Sequence, residues 1–187
     1  MNKKVLNIIE DFTDLDFNLN DNDELIINFY SEDAHDMNIH VVQNNNSKLV
    51  INYSIINKND SNININNEIL GNNDTTVVKL RCIAQDNHAN ISVCSKANID
   101  TKDNNIEEDL KSIFEQGTTS LKPILEIETS EVMANHFATV KSYDNDELFY
   151  LTSKGISDGE AKKLIRKSFI YSLFSEEFIK MIDKGDE

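Results

Sequence analysis

Ser47-Lys48-Leu49-Val50-Ile51-Asn52-Tyr53-Ser54-Ile55-Ile56 places Leu49, Ile51, Tyr53 and Ile55 at every second position. Successive residues of an extended chain point to opposite faces, so these four side chains form one apolar face of a β-strand. The same period of two recurs on both sides. Upstream it is carried by Leu25, Ile27 and Phe29, and by Met37, Ile39 and Val41. Downstream it passes through Ile63 and Ile65, then Val78, Leu80, Cys82 and Ala84. Ile91, Val93, Ser95, Ala97 and Ile99 form the last such set.

Polar clusters separate these segments at Asn44 to Ser47, Asn57 to Asn62, Gly71 to Thr75 and Asp86 to Asn90. Short strands with regular polar turns fit a sandwich, a barrel or a β-helix. Only five glycines are present, which disfavours a series of tight primed hairpins. Of 26 asparagines, 24 lie before residue 106. Asn bonds to nearby backbone, which suits turns and polar strand faces better than helix interiors. Asn-lined corners of a stacked solenoid follow from this, although no strict repeat period is visible.

From about residue 143 the periodicity becomes helical. Asp144 caps a helix, with Glu147 as its capping-box partner and Gly155 at its C-terminal left-handed position. Ser157 and Glu160 repeat the start signal. Ala161, Leu164, Ile165, Ser168, Phe169, Ser172 and Leu173 then fall on one stripe, with Lys162, Lys163, Arg166 and Lys167 opposite. Ser175 caps a final helix through Phe178, Ile179 and Ile182.

With 18 Lys and Arg against 33 Asp and Glu, the formal net charge is -15. That charge repels phosphate backbones and anionic lipid, so neither nucleic acid nor a membrane is an expected partner. No run reaches the ~18 apolar residues of a membrane span. Lys3-Lys4 precede a short apolar stretch from Val5 to Ile9, which Glu10 and Asp11 interrupt before it reaches signal-peptide length. A cytoplasmic location is expected.

The distinctive stretch is C-terminal. It reads Lys122-Pro123-Ile124-Leu125-Glu126-Ile127, then Val132-Met133-Ala134-Asn135-His136-Phe137-Ala138-Thr139-Val140. Asp146-Glu147-Leu148-Phe149-Tyr150-Leu151, Ser153-Lys154-Gly155-Ile156-Ser157 and Glu160-Ala161 follow. Over residues 110 to 172 this block resembles the C-terminal half of the SufB/SufD family, scaffolds that work with the ATPase SufC in building iron–sulfur clusters. It is closer to SufD.

The resemblance implies a mainly β protein. Its core would be a right-handed parallel β-helix over residues 1–142, followed by a small C-terminal helical domain over residues 143–187. Ser112-Ile113-Phe114 would be a late strand, Glu115-Gln116-Gly117 a turn, and Lys122-Pro123 the introduction to a strand from Ile124 to Ile127. The implied function is that of a shortened, non-catalytic SufD-like scaffold. It would bind a SufC-like ABC ATPase through its helices and pair by its β-helix with a SufB-like partner or a second copy. Tyr150, Gly155, Ile156 and Tyr171 are the candidate partner contacts.

His136 matches the histidine of the SufD segment Ser-His-Gly-Ala-Thr-Val, implicated at the SufB–SufD interface. It is the candidate iron or cluster contact, and packing at a β-helix end is its competing role. A neutral imidazole can ligate iron or relay a proton near neutral pH. The surroundings depart from the family pattern. Phe137 replaces a small residue, Ala134 stands where SufD often has Cys, and the position of the SufB cysteine falls in Glu107-Glu108-Asp109-Leu110-Lys111. A cluster needs several thiolate or His ligands, so no tightly bound cofactor is expected and a cluster is expected only within a complex.

Other constellations are weaker. His35 with Asp33, Asp36 and His40 reads as a solvated acidic loop, and His88 as a turn residue. Cys82 and Cys94 read as two core thiols, and as a metal pair only if their strands stack. No nucleophile elbow and no phosphate-binding glycine loop is present, which argues against an enzyme. The alternative from another class is a β-helix protein that binds or cleaves polysaccharide.

Overall fold

The structure, a computed structural model, describes residues 2–9, 14–32 and 36–185. Its strands are β1 (Lys3–Ile8), β2 (Asp14–Leu19), β3 (Glu24–Glu32), β4 (Met37–Gln43), β5 (Lys48–Asn57), β6 (Ser61–Ile69), β7 (Thr75–Ala84), β8 (His88–Ala97), β9 (Asn104–Phe114), β10 (Thr118–Ile127) and β11 (Val132–Lys141). The helices are α1 (Asn145–Ser153), α2 (Asp158–Tyr171) and α3 (Glu176–Gly185).

Odd-numbered strands form one sheet in the order β1-β3-β5-β7-β9-β11, and even-numbered strands form the other, β10-β8-β6-β4-β2. Every pairing is parallel, so the chain winds as a two-sided β-solenoid. Following one column shows why no repeat is visible in the sequence. Asn7 pairs with Asn28, Asn28 with Asn52, Asn52 with Lys79, and Lys79 with Asp109. The steps are 21, 24, 27 and 30 residues, so each coil is wider than the last. The next step, Asp109 to Phe137, falls back to 28.

The apolar alternation fills the interior. Leu25, Ile27, Ile39, Val41, Leu49, Ile51, Ile63, Ile65, Val78 and Leu80 are all essentially inaccessible and belong to one cluster between the sheets. Complete burial of such a side chain stabilises by about 1.5–3 kcal/mol. Asparagine has two structural uses. On outer faces it forms ladders between coils, with Asn52 donating to Asn28 at 2.9 Å and Asn28 to Asn7 at 2.9 Å. On the second sheet Asn64 donates to Asn38 and Asn38 to Asp14. At one corner Asn22, Asn46, Asn73 and Asp103 stack in consecutive coils with φ between 57° and 66°. Asn and Asp tolerate this left-handed region because their short polar side chains bond locally.

Several expectations shift. Strands β1 and β2 precede the first segment recognised by alternation. Ile99 leaves the alternating set, lying 70% exposed in the corner after β8. Pro123 sits within β10 rather than at its start, opposite Val93. It is tolerated because β10 is an edge strand, where an amide can be missing on the open side.

The helices lie on the outer face of the first sheet. Tyr30, Ile56, Ile83 and Ile113 from the strands form a second cluster with Ile170, Phe178 and Ile182. The Ser54 hydroxyl donates to the Ile170 carbonyl at 2.8 Å, fixing the last turn of α2 to β5. Asp144 caps α1 by accepting from Asp146 and Glu147 amides, and Ser157 with Glu160 closes a full capping box on α2. Gly155 has φ 88°, and the Gly155 and Ile156 amides close the end of α1 on Thr152 and Leu151. The buried face of α2 is rotated from the expected stripe. Ile170 is buried, whereas Leu164 and Ser168 are exposed. Arg166 leaves the basic face and turns toward the solenoid, where it meets Glu115 together with the Tyr143 hydroxyl.

Candidate functional site

The two sheets end in strands with one unpaired edge, β10 and β11, each of ten residues. Parallel partners in register share a face, so the inward residues Asn104, Ile106, Glu108, Leu110 and Ser112 of β9 are continued by Val132, Ala134, His136, Ala138 and Val140. The first five are buried. In the second five, from His136 onward, the side chains are exposed because no further coil covers them. His136 therefore lies at the open end of the solenoid, directly after Glu108.

Glu108 is completely buried. One carboxylate oxygen accepts from the Ser95 hydroxyl at 2.7 Å across the interior, and the other has no hydrogen-bond partner. Burial pushes its carboxyl up to about 7, which the hydrogen bond from Ser95 only partly offsets. A buried carboxyl with a raised pKa thus sits one rung beneath an exposed imidazole, a pairing that sequence reasoning missed. Its signal was present: Glu108 interrupts the apolar alternation of Ile106 and Leu110 at an inward position.

The cysteines do not join this pair. Cys82 lies inward on β7, and burial pushes its thiol up to about 12. Cys94 lies half-buried on the outer face of β8, its thiol raised by burial and by Glu126 and Glu108. They belong to opposite sheets, so strand stacking does not bring them together, and only Cys82 is a core thiol. Asp33 and His35 lie outside the described residues. Asp36 accepts from the Asn62 backbone and side chain, and His40 pairs with Asp16 at 3.3 Å. His88 opens β8, with its ring 2.8 Å from the Thr118 hydroxyl. Among the described residues no group of three or more His, Cys, Asp or Glu could hold a metal ion.

The second surface is formed by the helices. Phe149 and Tyr150 of α1 are 75% and 61% exposed. A groove of about 730 Å³ runs between α1, α2 and the outer face of the first sheet, with Tyr150 on its wall and Arg81, Lys111 and Lys141 on its sheet side. Tyr171 is elsewhere. Its hydroxyl donates to Asp183 at 2.8 Å, its ring stands edge-on to Tyr30, and it lines a different hollow. Gly155 and Ile156 form the turn between α1 and α2. The four candidate contacts are thus spread over two hollows and a turn.

Comparison with known proteins bears on the same region. The family model described as "SUF system FeS cluster assembly, SufBD core domain" matches residues 103–169. This stretch, just over a third of the chain, is similar to the SufBD core domain. An iron–sulfur cluster assembly SufBD family protein of Mycobacterium leprae is 38% identical over 55 residues, 29% of this chain and 14% of the relative. A SufBD family protein of Mycobacterium tuberculosis is 36% identical over a stretch of the same length, with the same coverage. The iron–sulfur cluster assembly protein SufD of Escherichia coli is 40% identical over 52 residues, 28% of this chain and 12% of SufD. The matched stretch therefore spans about one seventh of these relatives or less. The matched segment runs from the start of β9 to Phe169 of α2, so it holds the open end, His136, Glu108 and most of the helical groove, whose lining residues Arg81 and Ser172 lie outside it. No described helix is long and apolar enough to cross a membrane.

Proposed function

We propose that this chain acts in iron–sulfur cluster assembly as a SufD-like scaffold without catalysis of its own. It docks a SufC-like ABC ATPase on α1 and α2 and pairs through its open solenoid end with a SufB-like protein or a second copy. One observation carries the reading: of the six described large apolar side chains that are more than half exposed, all but Ile99 fall in the segment similar to the SufBD core. Met133, Phe137, Phe149, Tyr150 and Leu164 are each more than half exposed, and all five lie within residues 103–169.

The free edge of the ten-residue β11 leaves the backbone groups directed away from β9 unpaired, a template for strand addition. A tail-to-tail contact suits it better than head-to-tail stacking, because the first coil steps 21 residues and the last 28. His136 would then face the partner across the join. Cluster chemistry there draws its thiolates from that partner, since Cys82 and Cys94 lie in other columns on different sheets. The polysaccharide reading gains no support from the outer face of the second sheet, which bears Asn, Ser, Asp and Lys and among the described residues no aromatic platform.

Co-expression with a SufC-like ATPase from the same genome, followed by size-exclusion chromatography, tests the reading. A co-eluting complex that Tyr150→Ala with Phe149→Ala disrupts is the expected result. Independent elution of the unaltered proteins would sink it.

A further inference from the structure

The groove between the helices and the first sheet inverts the charge of the chain. Acidic residues outnumber basic ones 33 to 18 in the sequence, yet the described residues lining this groove include Arg81, Lys111 and Lys141 against Glu147 alone. Resting on the docking reading above, we infer that the docked partner inserts an acidic segment with flanking apolar side chains into this groove.

The basic side of the groove is built by register. Arg81, Lys111 and Thr139 are successive outward residues of one column, and Lys141 follows two residues on along β11. Arg81 is 8% exposed and makes three hydrogen bonds: it donates to the Leu80 carbonyl, to the Asp109 carbonyl and, at 2.7 Å, to the Asp109 carboxylate. Its guanidinium also lies 5.9 Å from the Phe169 ring. Asp109 is shared with Lys111 at 3.1 Å, so two cations meet one carboxylate and a positive charge is left over. Burial would raise the Asp109 carboxyl, but hydrogen bonds from Arg81 and Lys111 outweigh it and hold it below its usual value. Lys141 makes no ion pair among the described residues. An ammonium group has three donors, so Lys111 and Lys141 retain capacity for an incoming carboxylate.

The opposite wall is apolar, formed by Leu151, Leu164 and Ile165, with Tyr150 beside them. A small inorganic anion would leave that apolar wall wet. An amphipathic acidic segment covers the wall and neutralises the lysines at once. Complementary charge of this kind sets orientation and encounter rate as much as affinity.

The test is the complex of the full chain with the SufC-like ATPase, titrated at rising salt. Lys111→Glu with Lys141→Glu should raise Kd by about tenfold or more and flatten its salt dependence. Leu164→Ala should weaken binding while leaving the salt slope unchanged. Lys141→Glu alone should show the charge effect in a chain whose Asp109 cluster is untouched, which separates it from misfolding. Lys122→Glu, on the outer face of the other sheet, should bind as the unaltered chain does. A complex indifferent to the lysine reversals overturns the acidic segment and leaves docking standing. Absence of any complex with the unaltered chain overturns both.

Discussion

Val78, Glu108 and His136 are consecutive members of one inward column, and their environments could hardly differ more. Val78 is sealed between coils, Glu108 is sealed with one oxygen unpartnered, and His136 is open to solvent. The comparison shows that an inward position is a core position only while another coil follows. Up to β9 the alternation contributes burial. At β11 the same alternation presents side chains to whatever covers the end.

The largest effect expected from this contrast is on stability. Leu80→Ala empties a fully buried site and should cost about 2–5 kcal/mol in urea denaturation. Val140→Ala, at an inward position of the last rung, should stay within about 0.5 kcal/mol. If Val140→Ala instead cost as much as a core truncation, the rung would be covered in solution, and stability would then depend on protein concentration.

Glu108 gives the next effect, read through pH. Its folded carboxyl is raised to about 7 from the ordinary 4.5, so the folded state holds the proton more tightly than the unfolded chain. The stabilisation is therefore complete below the unfolded value and disappears as pH rises through about 7. Between pH 5 and 8 the loss should be about 3 kcal/mol at most, by the worth of a pKa unit. Asp74, raised to about 6 by burial, adds a loss of the same sign. Glu24, Glu32 and Asp109 have lowered carboxyls and act at more acid pH, where their contribution is lost as pH falls. Unfolding free energies of Glu108→Gln should retain only the Asp74 part of the slope. An unchanged slope would show that Glu108 is not the buried acid.

Gly117→Ala should cost about 1–3 kcal/mol by overpacking. A Cβ there would meet the Asn87 carbonyl oxygen at 2.4 Å, because the corner before β10 stacks backbone on backbone. Equilibrium denaturation that detected no loss would mean this corner yields as a loop does.

The contrast also explains what the sequence disclosed. Alternation identified the strands from Leu25 to Ala97 because each buries one full face, and Asn at the corners pointed to stacking. Strands β1 and β2 escaped because Leu6, Ile8, Leu15 and Phe17 are brief sets on a half-covered terminal coil. The widening step hid the repeat, since a coil that grows by three residues has no fixed period. Asp144, Ser157 and Glu160 fixed the helix starts because capping is local chemistry. The inward turn of Arg166 was invisible, since its partner Glu115 is 51 residues away. His136 and Glu108 could not be paired for the same reason: their proximity depends on register across 28 residues.

The smallest expected effect asks whether the helices and the solenoid behave as one cooperative unit. Ser157→Ala removes the hydroxyl that accepts from the Glu160 amide and should cost about 1 kcal/mol. If α2 depends on the cluster it shares with Ile83 and Ile113, the loss should appear in global unfolding, and amides of β7 and α2 should lose hydrogen-exchange protection equally. If only α2 amides lose protection, the helices open on their own while the coils stay closed. The Ser54 bond to Ile170 and the Arg166 contact to Glu115 both cross this boundary, which favours the first outcome. A groove whose two walls come from helix and sheet keeps its shape only if those walls unfold together.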